Sequence, residues 1–259
     1  MAELRIEAAA AHVERWTILG EARRNTLTRA LVAELIREIE RVSAPGAARA
    51  VVLTGEGEKA FCAGADLKER QGMDEGEVRR FLDDLRRMTR GIERSRAVFV
   101  AALEGSAYGG GTELSLACDL RLLRDGATLA LTETTLAIIP GAGGTQRLPR
   151  LVGPGRAKEL ILTGRPLGAQ EALAWGLVVR VTPAGQAVAQ AVELAERIAK
   201  NGPVAVAAAK AAIEDGFGLA LEAGLDVERR EYEKTLGTKD RLEGLAAFKE
   251  KRPPVYRGE

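Results

Sequence analysis

Two apolar, β-branched runs, HVERWTIL at 12–19 and RAVVLTG at 49–55, flank a segment whose apolar residues recur at a different period. In TRALVAELIREIERV, residues 28–42, Leu31, Leu35, Ile39 and Val42 fall on one helical face, while Glu34, Arg37, Glu38 and Arg41 fall on the other. Thr28 is the candidate N-cap, because its hydroxyl can accept a free amide of the first turn. AVFVAALEG at 97–105 and residues 120–123 continue the strand pattern. Strand, helix, strand in succession commits the chain to an α/β core.

The second half changes character. Helical patterns cover 155–163, 169–175, 186–200, 203–214 and about 218–236, with VVRVT at 178–182 the lone strand-like run. The breakers Asn201-Gly202-Pro203 mark a loose boundary between residues 1–200 and 201–259. The closing KEKRPPVYRGE reads as an exposed arm or an intersubunit contact. No sequence repeat stands out.

Composition removes whole classes of function. Thirty-eight basic against thirty-seven acidic residues leave a formal charge of +1, which gives no global attraction for nucleic acid, membrane or acidic substrates. His12 is the only histidine, which excludes a histidine-dependent triad and disfavours zinc. Cys62 and Cys118 make no disulfide framework and are expected to be reduced and buried. The N-terminus lacks the pattern of a secretory signal, and no apolar run approaches the ~18 residues of a membrane span. A cytoplasmic location is the expectation.

The chemistry concentrates in two glycine-rich stretches. YGGGTELSLACD at 108–119 and PGAGGTQR at 140–147 complete neither G-x-G-x-x-G nor a P-loop. Glycine also lets a backbone approach a ligand closely, and a helix starting there aims free N–H groups and a dipole at developing negative charge. The other reading of Gly109–Gly111 is close helix packing beside a surface-exposed Glu113. Glu133 adds a second carboxylate in an apolar stretch running into a glycine turn. Two buried carboxylates without histidine suit proton transfer, since burial and mutual repulsion set their pKa values apart. A glycosidase pair would want an aromatic sugar cleft, and the chain is 4% aromatic.

AFCAGADLKER at 60–70, YGGGTELSLACD at 108–119 and ETTLAIIPGAGGTQRLPR at 133–150 resemble the enoyl-CoA hydratase/isomerase (crotonase) family. So do LTGRPLGAQEALAWGLV at 162–178 and TKDRLEGLAAFKEKRPP at 238–254. The resemblance covers nearly the whole chain. It implies an α/β spiral of ββα units followed by a helical C-terminal region, 201–259, that builds a homotrimer or a dimer of trimers. It implies that the N–H groups of Ala65 and Gly110 form an oxyanion hole for a thioester carbonyl, each donor worth about 3–4 kcal/mol of barrier. Family hydratases carry one glutamate after the triple glycine and one seven residues before the proline of IPG, here Glu113 and Glu133. By the same resemblance Glu113 acts as base toward water, Glu133 delivers the α-carbon proton, and Gly141 N–H helps hold the water. Ala63, Asp66, Leu67 and Lys68 match CoA contacts, and Tyr232 and Lys251 match positions that reach a neighbour's CoA, with plain surface packing as their alternative. No separate cofactor is implied, CoA being part of the substrate.

Within the family the likeness is greatest to 3-methylglutaconyl-CoA hydratases, among them an RNA-binding homologue. Arg70 gives that likeness a physical basis. It stands where straight-chain hydratases typically have an apolar residue, and its guanidinium can hold a substrate's terminal carboxylate in a two-pronged bond. The alternatives are an arginine reaching to solvent and a short-chain crotonyl-type substrate. Phe81, Leu85 and Met88 share a helical face that either lines the acyl pocket or packs in the core. RNA binding is disfavoured, because Arg29, Arg37 and Arg41 alternate with Glu34, Glu38 and Glu40.

Overall fold

The computed structural model describes residues 3–259. Strands β3 (Ala50–Gly55) and β5 (Val98–Leu103) are buried at every position. Strands that hide both faces need cover on each side, which helical crossovers between parallel neighbours supply. β3 and β5 accordingly pair in parallel, Val51 opposite Phe99. Around them β1 (Glu3–Ala10), β2 (Val13–Leu19), β7 (Leu120–Arg124) and β10 (Arg180–Thr182) complete a six-stranded sheet in the order β1-β2-β3-β5-β7-β10. Only the β1–β2 hairpin is antiparallel within it. A second sheet of short strands has the order β4-β6-β8-β9: β4 (Ala60–Cys62), β6 (Ser106–Tyr108), β8 (Thr128–Ala130) and β9 (Leu167–Gly168).

Each turn of the chain places one strand in the large sheet, the next in the small one, and then a helical segment. β3 and β4 lead into α2 (Leu67–Gln71) and α3 (Glu75–Arg94), and β5 and β6 lead into α4 (Gly110–Ala117). β7 and β8 lead into a single 3-10 turn at Glu133–Leu136, then α5 (Gly144–Val152) and α6 (Pro154–Thr163). This is the expected ββα spiral. It repeats in space without repeating in sequence, because each turn packs a different surface.

The helix α1 (Arg29–Val42) starts as expected, with Thr28 Oγ1 accepting from Leu31 N at 3.2 Å. Its buried Leu31, Leu35, Ile39 and Val42 belong to the same core cluster as Phe81, Leu85, Met88 and Ile92 of α3. The packing role of Phe81, Leu85 and Met88 is therefore the observed one. Helix α8 (Ala187–Ala199), reached through α7 (Ala169–Ala174), covers the other face of the large sheet. Its Ala191, Ala195 and Ala199 are small enough to let it lie close on Val52 and Val100.

Helices α9 (Pro203–Gly216), α10 (Leu221–Leu236) and α11 (Lys239–Glu250) complete the chain's regular elements. Buried Lys210 fixes α9 to the spiral by donating to Ile92 O at 3.0 Å, Ala97 O at 3.1 Å and Asp119 Oδ2 at 2.9 Å. The closing segment keeps exposed side chains but is not a loose arm. Asp240 accepts from the amides of Arg257 (2.7 Å) and Gly258 (2.8 Å), and Arg49 donates to Tyr256 O at 2.7 Å. Strand β1, the short strands β4, β6, β8 and β9, and helices α5 and α11 lie outside the elements that the sequence predicts. No helix among the described residues is long and apolar enough to cross a membrane.

Candidate active site

β4, β6 and β8 run parallel, so their carboxyl ends open on one side, where α/β sheets generally receive ligands. The chain leaves each strand through a stretch that the sequence singles out: Ala63–Asp66 after β4, Gly109–Glu113 after β6, and Glu133 after β8. Residues 24–27 clamp the first of these segments. Ala63 N donates to Arg24 O at 3.0 Å, Leu27 N to Gly64 O at 2.8 Å, and Asp66 N to Leu27 O at 3.0 Å. Among the described residues the Ala65 N–H has no backbone carbonyl partner, and neither has the Gly110 N–H at the start of α4. The two amides share one space, since a Cβ on Gly110 would lie 3.6 Å from Ala65 N. The glycine run is also a packing requirement: a Cβ at Gly111 would stand 2.0 Å from the Cys62 carbonyl oxygen.

Glu113 is 2% exposed, so the surface-residue reading does not hold. Its Oε1 accepts from Ala142 N at 2.8 Å and Gly144 N at 2.7 Å, capping the N-terminus of α5. Burial raises its pKa above the ordinary value, against the amides of Gly144 and Ala142, the charge of Arg147 and the Gly141 amide. Gly141 thus faces this carboxylate. The amides of Ala142 and Gly144 were missed by sequence reasoning, because a backbone donor has no side-chain signature; the glycines of PGAGG were the available signal.

Glu133 differs. Its Oε2 is buried without a hydrogen-bond partner, and its Oε1 lies 3.3 Å from where a Cβ of Gly109 would be. Its pKa is pushed up to about 7, first by burial and then by the Glu113 charge, while its own amide and Arg70 pull it down. One carboxyl is held by amides and its neighbour is near half-protonation at neutral pH. That difference lets a pair divide proton acceptance from proton donation.

Arg70 lies in the last turn of α2, half-buried, with its charge felt at Glu133. Asp66 is the N-cap of α2, accepting from Lys68 N (2.9 Å) and Glu69 N (3.2 Å), so its carboxylate is engaged in holding the helix. Ala63 is half-buried beside it, and Leu67 and Lys68 are exposed on α2. Tyr232, on α10, is 61% exposed, and Lys251 ends α11, exposed. Neither makes a side-chain hydrogen bond to the cluster. Cys62 and Cys118 are buried free thiols, both pushed up to about 12 by burial.

A family model described as enoyl-CoA hydratase/isomerase matches residues 13–259. The crystal structure of an enoyl-CoA hydratase from Bacillus anthracis superposes with a TM-score of 0.96 at 53% identity, over 99% of each chain. The solved structure of Pseudomonas aeruginosa DspI superposes with a TM-score of 0.93 at 36% identity, over 98% of this chain and 96% of its own. The mitochondrial methylglutaconyl-CoA hydratase of Rattus norvegicus is 45% identical over 240 residues, spanning 91% of this chain and 76% of its own length. With paired amides and paired carboxyls at the ends of the short strands, the chain belongs to the enoyl-CoA hydratase/isomerase family.

Proposed function

We propose that the protein adds water across the double bond of a 2-enoyl-CoA thioester, with 3-methylglutaconyl-CoA as its substrate and 3-hydroxy-3-methylglutaryl-CoA as product. The observation that carries this reading is the unequal carboxyl pair beside two free amides. The Ala65 and Gly110 N–H groups receive the thioester oxygen and stabilise the negative charge it gains as an enolate. Glu113 takes a proton from a water, assisted by the Gly141 amide, as the water oxygen bonds to the β carbon. Glu133 then gives its proton to the α carbon. The sum is one water added, and the two carboxyls return to their starting states by exchanging a proton with solvent. An unpartnered oxygen at Glu133 suits a group that must hold water or reach substrate.

Glu113→Gln and Glu133→Gln should each slow hydration by roughly a hundred- to ten-thousand-fold while the fold persists. The ultraviolet absorbance of the conjugated enoyl thioester reports the rate. Activity near that of the unmodified protein in either variant would dismiss the acid/base assignment.

For the acyl group, the supporting features are the similarity to methylglutaconyl-CoA hydratase and the location of Arg70 near Glu133. A terminal carboxylate on the substrate would meet this guanidinium. Arg70→Met should lower kcat/KM for 3-methylglutaconyl-CoA by about tenfold or more relative to crotonyl-CoA. An unchanged ratio returns the protein to the short-chain class.

Ala63, Leu67 and Lys68 are assigned to the CoA carrier, with Asp66 holding the helix that bears them. Residues 201–259 are assigned to assembly into trimers, supported by apolar side chains left exposed there: Phe217, Leu221 and Phe248 are 67%, 75% and 88% exposed. Tyr232 and Lys251 would meet a neighbour's CoA in that assembly. The nucleic-acid alternative loses support, since Arg29 is paired with Glu69 and Glu77, and Arg41 with Glu14 and Glu38.

A further inference from the structure

Glu113 is only as well placed as the loop whose amides hold it, and residues 140–144 have no sheet partner to fix them. A side-chain bracket on one carbonyl fixes them instead. Arg147 Nη1 donates to Ala142 O at 2.6 Å, and Thr89 Oγ1, on α3, reaches the same oxygen at 3.1 Å. The Arg147 Nε is held in turn by the Glu93 carboxylate, also on α3. The other end of this peptide segment, the Ala142 N–H, is the donor to Glu113 Oε1. Gly143, between the donors Ala142 and Gly144, has φ +107°, and a Cβ there would stand 1.9 Å from Arg147 Nη1. Arg147 Nη1 therefore lies close against a backbone position that only glycine permits.

We propose that Arg147, braced by Glu93 and seconded by Thr89, is a positioning residue that fixes the Ala142–Gly144 amides on the Glu113 carboxylate and so sets which oxygen of that carboxylate faces the reacting water. With Oε1 taken by two amides, Oε2 is the oxygen left for chemistry. The sequence offers Arg147 only as a charged residue in a glycine-rich motif. Its work is visible once α3 is seen to pass behind the loop.

The inference rests on Glu113 being the base, and the experiment separates the two. The charged groups facing Glu113 are Glu133 from the turn after β8 and Arg147 from α5, with Arg70 of α2 acting through Glu133. Removing Arg147 takes away a nearby positive charge and loosens two donors, and both changes make Glu113 harder to ionise. In Arg147→Met the acidic limb of the kcat/KM profile should therefore move to higher pH by about one unit, with kcat down about tenfold or more and KM within about twofold. Arg147→Lys, which keeps charge but not the fork, should move the limb less than Arg147→Met does and still lose kcat. Thr89→Val, which keeps the guanidinium and its fork, should lower kcat several-fold with a limb shift smaller than that of Arg147→Met.

The proposal is overturned if Arg147→Met and Thr89→Val both keep kcat within about twofold, or if Arg147→Met loses rate with an unmoved acidic limb, as a merely structural residue would. If Arg147→Met does not fold, full kcat in Arg147→Lys and Thr89→Val together overturns it, and reduced kcat in both supports it. Activity surviving in Glu113→Gln would instead remove the base itself, a distinct result.

Discussion

On the proposed mechanism, Glu133 is where activity and stability are opposed. Its folded pKa of about 7 stands above the ordinary 4.5, so the folded protein holds this proton more tightly than the unfolded chain does. Stability from that proton is complete below about pH 4.5 and is lost as the pH rises through about 7. Glu133→Gln mimics the protonated state at every pH. Its melting temperature should therefore gain on that of the unmodified protein between about pH 5 and pH 8, even as its turnover collapses. A gap equal at both pH values would show that Glu133 does not titrate in this window. The same carboxyl should set the alkaline limb of the rate profile. Because Arg70 pulls the Glu133 pKa down, Arg70→Met should carry that limb to higher pH with any substrate.

At the scale of elements, legibility tracks local signal. Helix α1 is readable because its apolar stripe and its cap lie within one segment; Thr28→Ala should cost about 1 kcal/mol in a denaturant titration, with little change in kinetics. Strands β3 and β5 are readable because burial on both faces leaves continuous β-branched runs. Strand β1, ELRIEAAA, pairs only with β2 and is half-buried, so its alanines give no strand pattern. Helix α11 leaves Leu242, Leu245 and Phe248 exposed and buries only Asp240 and Ala247, so no apolar stripe announces it. The site shows the same division. Both glutamates and the glycine run can be picked out by residue type, whereas the amides of Ala142 and Gly144 and the brace of Arg147 depend on where a loop turns and what passes behind it. The contact between α4 and β4 gives a sharp test. Gly111→Ala drives a methyl into the Cys62 carbonyl and should cost about 3 kcal/mol or more, read as a lowered melting temperature.

Across the whole molecule, the C-terminal helices are held to the spiral by a buried ion pair as well as by packing. Lys210 and Asp119 are 7% and 15% exposed, and burial holds the Asp119 pKa above its ordinary value against the pull of Lys210. Lys210→Met leaves that carboxylate uncompensated and should destabilise by about 3–5 kcal/mol, with faster hydrogen exchange in α9. Acid protonates the stranded Asp119, so the deficit should shrink from about pH 8 to pH 5, and adding Asp119→Asn should recover part of it. A pH-independent deficit would mean that lost packing, not a stranded charge, is responsible. The stacking of β4, β6 and β8 reaches further still. Ala65 comes from one coil, Gly110 and Glu113 from the next, and Glu133 from the third, so on the proposed mechanism one of the two proton-handling groups lies on a coil that contributes nothing to the carbonyl anchor. If that mechanism holds, descent could replace the residue at 133 and obtain a different reaction on the same anchored thioester, without rebuilding the scaffold that anchors it.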